Sequence, residues 1–385
     1  MKQRIGKYST QKVNGQTYKA YIPAALPPQP ALDLTYLFPH LEKATLQLAQ
    51  LNNASKTVPN PSLFIYMYVR KEALLSSQIE GTQSSFSDLI LFEHDQKTEI
   101  ALEDVEEVSN YVKAINYGLQ RLKDGFPLSL RLLKEIHNIL LSGSRGSEKH
   151  PGQLRRTQNW IGGTQPSNAL FVPPAIEHLN QCLDDFEKFL HDTSLPTLIK
   201  SGLAHVQFET IHPFLDGNGR LGRLLITLLL VSENILDEPI LYLSLYLKQN
   251  RQNYYNLLQE VRTEGTWETW LEFFLEGICI TAQQATDTIN QINNLFKHDA
   301  GKIETLGRAK FSCHQIFEFM KKLPQVTVSL LAQELDMTAP TARTALNHMV
   351  NIGIIKEISN KQRDKIYIYK KYLDILEDGT KPLKA

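Results

Sequence analysis

Cysteine is scarce in this sequence: Cys182, Cys279 and Cys313 are the three in 385 residues, far apart and without a CxxC pair. That set argues against a disulfide framework and against the common zinc-ligand spacings. A long apolar run is also missing, since LLITLLLV at Leu224 to Val231 is too short to span a bilayer. The N-terminal stretch carries basic residues but neither the apolar segment nor the small-residue cleavage site of a secretory signal, so a cytoplasmic protein with no membrane partner is expected. Charge of one sign is not in excess, with Lys plus Arg and Asp plus Glu at 41 each. The balanced total gives no argument for a polyanionic partner, although a local bias can hide within it. Internal repeats and low-complexity tracts are absent.

What is present is an ordinary soluble composition, 42% hydrophobic and 21% charged, in a chain long enough for two or three packed units. Pro23, Pro27, Pro28 and Pro30 disfavour helix and predict an extended N-terminal arm over residues 1–33. From Leu34 to about Asn294 the apolar spacing is helical, which predicts a mainly α body over residues 34–296. PGQLRRTQNWIGGTQPSNALFVPP, residues 151–174, interrupts it with Gly, Pro and β-prone pieces and reads as a hairpin or flap. The polar stretch KHDAGKIETLG, residues 297–307, reads as a boundary before a C-terminal unit over residues 303–376.

The densest chemistry lies in HPFLDGNGRLGR, His212 to Arg223. A helix is expected to run from Pro196 to about Thr210 and to leave His212 at its carbonyl end, where the dipole favours the protonated imidazolium and makes a good proton acceptor. Gly217 and Gly219 let the main chain approach a ligand, beside the unpaired N–H groups of the next helix. Arg220 and Arg223, three apart, share a side of that helix and can grip phosphate oxygens. Asp216 supplies the hard oxygen ligand that Mg²⁺ prefers. A base, a metal ligand, an amide nest and two cations thus fall within twelve positions.

This segment resembles the signature of the Fic family: HPF, any residue, D or E, GNGR, two residues, R. Every fixed position is filled. The resemblance implies a Fic-type helical bundle and a protein adenylyltransferase that moves AMP from ATP to a Ser, Thr or Tyr hydroxyl of a target protein or of itself. In that reading His212 takes the hydroxyl proton, Asp216 holds Mg²⁺, and Gly217, Asn218, Gly219, Arg220, Leu221, Gly222 and Arg223 surround the phosphates. A homodimer is expected with it. Ile161, Gly162, Gly163 and Thr164 fall where that family's flap approaches the nucleotide, though an ordinary surface hairpin also fits. Tyr254 and Tyr255, with Arg262 two turns on, match the segment lining base and ribose, whereas aromatics at helical spacing are more often core.

Tyr68 to Gln83, YVRKEALLSSQIEGTQ, reads as the end of a helix with Gly81 as its stop. Ser76 and Glu80 share a face, and by themselves they are bland, Glu80 being a solvated charge near a helix end. SSQIEG also resembles the inhibitory-helix motif of the family, which implies that Glu80 pairs with Arg223 in the space of the γ-phosphate. Low basal activity follows. In some relatives the same Glu serves removal of AMP, so a de-AMPylase, or transfer of another nucleotide group, stays open.

The C-terminal unit reads as three helices and two short strands. Thr338 is a candidate N-cap and Gly353 a stop. It resembles a winged helix-turn-helix, with Thr341, Arg343, Thr344 and Asn347 on the recognition helix and Lys361, Arg363 and Lys365 on the wing. Between Ile303 and Tyr372 there are eleven Lys or Arg against six Asp or Glu, which suits DNA without requiring it. Dimerisation or docking of a target is the alternative, as is a DNA-binding regulator whose Fic body senses a ligand.

Overall fold

A computed structural model describes residues 4–13, 15–57, 61–93, 102–143, 147–358 and 365–381. Contacts divide the chain into two units, the first holding residues 1–52 and 68–283, the second residues 53–67 and 284–381.

The chain opens with a hairpin where an extended arm is expected. Strands β1 (Lys7–Val13) and β2 (Gln16–Ile22) pair antiparallel, with Tyr8 opposite Tyr21 and Gln11 opposite Tyr18. The prolines follow the strands and therefore do not prevent the pairing, and Gly15 at φ +78° makes the turn. Tyr18, Ala20 and Tyr21 are buried, and the Tyr21 N–H donates to Val172 O at 2.9 Å.

The rest of this unit is helical: α1 (Leu34–Ser55), α2 (Pro61–Ile79), α3 (Phe86–Glu93), α4 (Leu102–Lys123), α5 (Leu130–Leu140), α6 (Ile176–Leu190), α7 (Thr197–Ile211), α8 (Asn218–Ser232), α9 (Ser244–Gln249), α10 (Arg251–Glu264) and α11 (Trp267–Glu304). Every residue of α7 from Leu198 onward is buried, as is α8 from Arg220 to Leu230. Helices apolar nearly all round belong at the centre of a bundle, and these two carry the HPFLDGNGRLGR turn between them. Between α5 and α6 the flap closes on a single bridge, Ile161 opposite Phe171. The mainly α fold with a hairpin flap is the one expected. No helix among the described residues is long and apolar enough to cross a membrane.

In the second unit α11 continues to Glu304 through the polar stretch read as a boundary, because Ile289, Ile292, Phe296 and Ile303 keep one apolar face buried. Then come α12 (Lys310–Lys322), β3 (Gln325–Thr327), α13 (Val328–Glu334), α14 (Ala339–Asn351), β4 (Lys356–Glu357), β5 (Ile366–Ile368) and α15 (Lys370–Leu376). The strands form one sheet in the order β3-β5-β4, with β3 additional to the two strands expected. Thr338 caps α14 by accepting from the Thr341 N–H, and Gly353 at φ +70° ends it. Lys361 and Arg363 lie outside the described residues.

Gly202 brings α7 against α11: a Cβ there would meet Leu271 at 2.8 Å and Phe274 at 3.0 Å, and its carbonyl accepts from Trp270 Nε1 at 2.9 Å. Gly202→Val should lower stability by about 2 kcal/mol through overpacking, measured by urea unfolding.

Candidate active site

Helix α7 ends at His212, whose left-handed backbone (φ +48°) turns the chain sharply away from the helix axis. Side chains from three other places hold the loop that follows. Asn218 closes it on itself, accepting from Phe214 N and donating to Phe214 O, both at 2.9 Å. His137 of α5 stacks on the Phe214 ring with centroids 3.8 Å apart. Its Nδ1 accepts from the Gly152 N–H at 2.8 Å, so the proton sits on Nε2 and is donated to Asp216 O at 2.9 Å. From the start of the flap, Arg155 N donates to Pro213 O and Arg155 Nε to His212 O, while Asn159 Nδ2 donates to His212 O and Phe214 O. The loop carbonyls are thus turned into the protein and satisfied. Helix α8 then starts with Gly217 (φ +75°) as its N-cap, and the unpaired N–H groups of its first turn face the cleft.

A cleft of about 380 Å³ lies there, lined by Glu80, Gly81, Thr82, Glu107, His212 and Leu215 to Arg220. Of the residues singled out in the sequence, His212, Asp216, Gly217, Asn218, Gly219, Arg220, Glu80 and Gly81 converge on it. Others are placed elsewhere. Leu221 is fully buried, and Gly222 backs onto Glu209 and Phe208. The Asn218 side chain faces inward, so that only its backbone is available to an anion. Gly162 and Gly163, both at positive φ, are exposed with Thr164 at the flap tip, which Asn168 braces by accepting from Thr164 N.

Tyr254 is core: its hydroxyl donates to His205 Nε2 at 2.8 Å, since His205 Nδ1 faces Gly222 O. Tyr255 beside it is 38% exposed, with the Arg251 guanidinium over its ring. Arg262 is buried behind the loop, donating to Thr210 Oγ1 and Glu209 O and lying 3.9 Å over the Phe171 ring. Tyr254 and Arg262 therefore support the site from behind and do not line the cleft. Their helical spacing is that of a packed face.

Both guanidinium groups read as phosphate ligands face carboxylates. Arg220 pairs with Glu107 at 2.9 Å and lies 3.7 Å from Asp216. Arg223, nearly inaccessible, donates to Glu80 Oε1 at 2.6 Å, to Ser76 Oγ at 2.9 Å and to Ser76 O at 3.0 Å. Burial alone would raise the Glu80 carboxyl; the charge and hydrogen bond of Arg223, with Arg220 and His212 beyond, reverse that and hold it below the ordinary range. Glu80 lies against the first turn of α8, where a Cβ on Gly219 would come within 2.2 Å of Oε1. Helix α2, which ends one residue before Glu80, is itself held by α9 and α10. Glu72 accepts from Ser244 N at 3.2 Å, Lys248 Nζ donates to Gln78 Oε1 at 2.7 Å, and Arg251 Nε donates to Ile79 O at 3.1 Å.

The charge state of His212 departs from expectation. Burial, then the cations Arg262 and Arg155, push its imidazole down to about 4, against the weaker pull of the helix end. Nδ1 lies 3.3 Å from Glu209 O, which places the proton on Nδ1 and leaves Nε2 an unprotonated base at neutral pH.

His137 is also held neutral, lowered from 6.5 to about 4 by burial, with Asp216 O and Arg220 as lesser influences. Its folded value lies below its unfolded one, so its contribution to stability is complete above about pH 6.5 and is lost as pH falls towards 4. In His137→Gln the slope of unfolding free energy against pH over that window should fall by up to about 1.4 kcal/mol per pH unit, read from urea titrations at several pH values.

Two family models match the chain: Fic/DOC family N-terminal over residues 38–120, and Fic/DOC family over residues 127–230. The chain is 29% identical over 179 residues to a protein adenylyltransferase Fic of Drosophila virilis and 27% identical to that of Drosophila melanogaster, in each case over 46% of this chain. It spans about a third of the length of these curated relatives, 34% and 33%. Among solved structures, a Fic family protein from Desulfovibrio desulfuricans G20 superposes with a TM-score of 0.56 at 19% identity, covering 86% of this chain and 96% of its own. Fic-1 (residues 134 to 508) from C. elegans superposes with a TM-score of 0.50 at 19% identity, covering 68% and 74%. With both family regions matched, the same fold in these neighbours and an intact HPFLDGNGRLGR turn, the chain belongs to the Fic/DOC family.

Proposed function

We propose that this protein transfers AMP from ATP to a hydroxyl side chain of a target protein or of itself, and that the arrangement described here is its restrained state. The observation that carries the reading is the sharing of Arg223: one guanidinium at the phosphate turn is occupied by Glu80. When the carboxylate leaves, Arg223 and the first turn of α8 become available to the phosphates of ATP. The hydroxyl oxygen then bonds to the α-phosphorus, and its proton passes to His212 Nε2. The bond from that phosphorus to the bridging oxygen breaks, and pyrophosphate leaves with the electron pair. Positioning, a general base and charge stabilisation supply the catalysis.

A divalent cation fits this site in one form only. Among the described residues no three His, Cys, Asp or Glu side chains converge; of the cleft carboxylates Glu80 pairs with Arg223 and Glu107 with Arg220, which leaves Asp216, its side chain 46% exposed, as the one open to a cation. Mg²⁺ suits such a position because it takes most of its ligands from phosphates and water. It would neutralise phosphate charge there. Removal of AMP by water, or transfer of another nucleotide group, is the alternative reading on the same residues.

Incubation with ATP and Mg²⁺ followed by mass spectrometry should give little adduct for the natural sequence, an added AMP mass for Glu80→Gly, and none for Glu80→Gly with His212→Ala. Absence of an adduct from Glu80→Gly with candidate protein targets present refutes AMP transfer.

A role for the C-terminal unit in DNA contact has one specific support. Thr341, Arg343, Thr344 and Asn347 are all exposed on α14, while Ala342, Ala345, Leu346 and Met349 are buried on its other side. The full chain should shift duplex DNA at low salt, with the shift weakened by Arg343→Ala and by added salt. If no shift occurs at low salt, docking of a protein becomes the role of this face.

A further inference from the structure

Glu209 was not singled out in the sequence, and nothing in the transfer step as written above uses its side chain. It lies on α7 one turn before His212 and is 6% exposed. Its Oε1 has no hydrogen-bond partner among the described residues, and its Oε2 lies 3.9 Å from His212 Nδ1. Room for the carboxyl is made by Gly222, where a Cβ would stand 2.5 Å from Oε1. A buried carboxyl with an unmet acceptor costs stability unless something repays it.

We propose that Glu209 is a positioning residue for His212: its carboxylate keeps the imidazole proton on Nδ1 and faces the imidazolium that forms when Nε2 takes the hydroxyl proton. The proposal rests on the reading of His212 as the base for AMP transfer. The electrostatic need is specific. Arg262 and Arg155 both disfavour a positive His212, yet the base must become positive as the oxygen–phosphorus bond forms. Glu209 supplies the nearest opposite charge on the Nδ1 side, as the buried carboxylate of a Ser–His–Asp triad does on an unrelated fold. It takes no proton itself. The backbone carbonyl of the same residue accepts from Nδ1 and is held by Arg262 Nη2 at 3.3 Å, while the carboxylate stands at ion-pair distance, so one residue faces the ring twice.

The groups facing this carboxyl are Arg223 from α8, Arg262, Tyr254 and Tyr255 from α10, Glu80 beyond α2, and His212 on its own helix. Burial pushes the carboxyl up to about 7, with Arg223 and Arg262 opposing and Glu80 adding to the rise. Glu209 is therefore neutral in mild acid and gains its charge as pH rises through neutrality. Transfer should follow it. In Glu80→Gly, which lacks one neighbouring negative charge, the rising limb moves to somewhat lower pH.

The test compares Glu80→Gly with the same protein carrying Glu209→Gln or Gly222→Ala, the latter displacing the carboxyl without changing it. Two readouts are taken: kcat and KM for ATP from about pH 5.5 to 9, and the tautomer and pKa of His212 from ring-¹⁵N histidine NMR, its signal identified by loss in His212→Ala. Glu209→Gln is expected to lower kcat about a hundredfold with KM for ATP nearly unchanged, to abolish the rising limb, and to lower the His212 pKa while letting the Nε2–H tautomer appear. Gly222→Ala should give the same changes in weaker form, and it decides the matter if Glu209→Gln does not fold. Unchanged kcat, pH limb and His212 signal in a folded variant overturn the proposal. If Glu80→Gly transfers no AMP while the His212 tautomer still depends on Glu209, the function proposed above falls and the pairing of the two residues stands.

Discussion

A buried guanidinium sets the terms for this molecule. Arg223 lies in the first turns of the central helix α8, almost out of reach of water, where an arginine cannot shed its charge and cannot remain unpaired. Burial works against that charge, and the Glu80 carboxylate more than offsets it. The start of α8 therefore favours an anion as partner for this group. In this structure Glu80 meets that need with the help of Ser76. In the reading proposed above, an internal anion orders the site before any substrate arrives, and its closure follows from the same requirement that would bind phosphate.

In the reading proposed above, exchange of one anion for another moves the Glu80 end of α2 while the loop beside it stays. The structure separates these demands. The loop from His212 to Gly217 is fastened by His137, Arg155, Asn159 and Asn218. The end of α2 is fastened by Ser244, Lys248 and Arg251, whose partners Glu72, Gln78 and Ile79 all precede Glu80 closely in the chain. Because the two sets share no residue, release of the Glu80 end as proposed would leave the loop its own fastenings. The anchors on α9 and α10 would then set how easily that end moves.

Much of the site was legible because it is contiguous. HPFLDGNGRLGR places base, acid, glycines and cations in one turn, and that turn joins two helices whose burial is also plain from their apolar spacing. The supports were not legible, since His137, Glu107, Arg155 and Asn159 come from elements distant in sequence, and Glu209, one turn before His212 on α7, carries no pattern of its own. Three expectations differ from the structure for physical reasons. At His212 burial and two arginines outweigh the pull of the helix end. Tyr254 followed a helical stripe into the core. The hairpin was hidden by the prolines after it, although the Asn14-Gly15 dipeptide between two β-prone runs is a strong turn signal. Glu80 shows the reverse: its local sequence is bland, and only the resemblance pointed to its partner.

The N-terminal hairpin bears on the order in which the molecule can be made. Tyr21 pairs with Val172 and packs against Phe171, a contact between chain positions 21 and 172 that closes a very long loop. Phe171 in turn lies under Arg262. On the ribosome the first strands emerge long before the flap they join, and the flap long before the arginine that rests on it. The hairpin is therefore made long before its partners and is among the last segments to find its place, and the flap is braced only after the HPFLDGNGRLGR turn already exists.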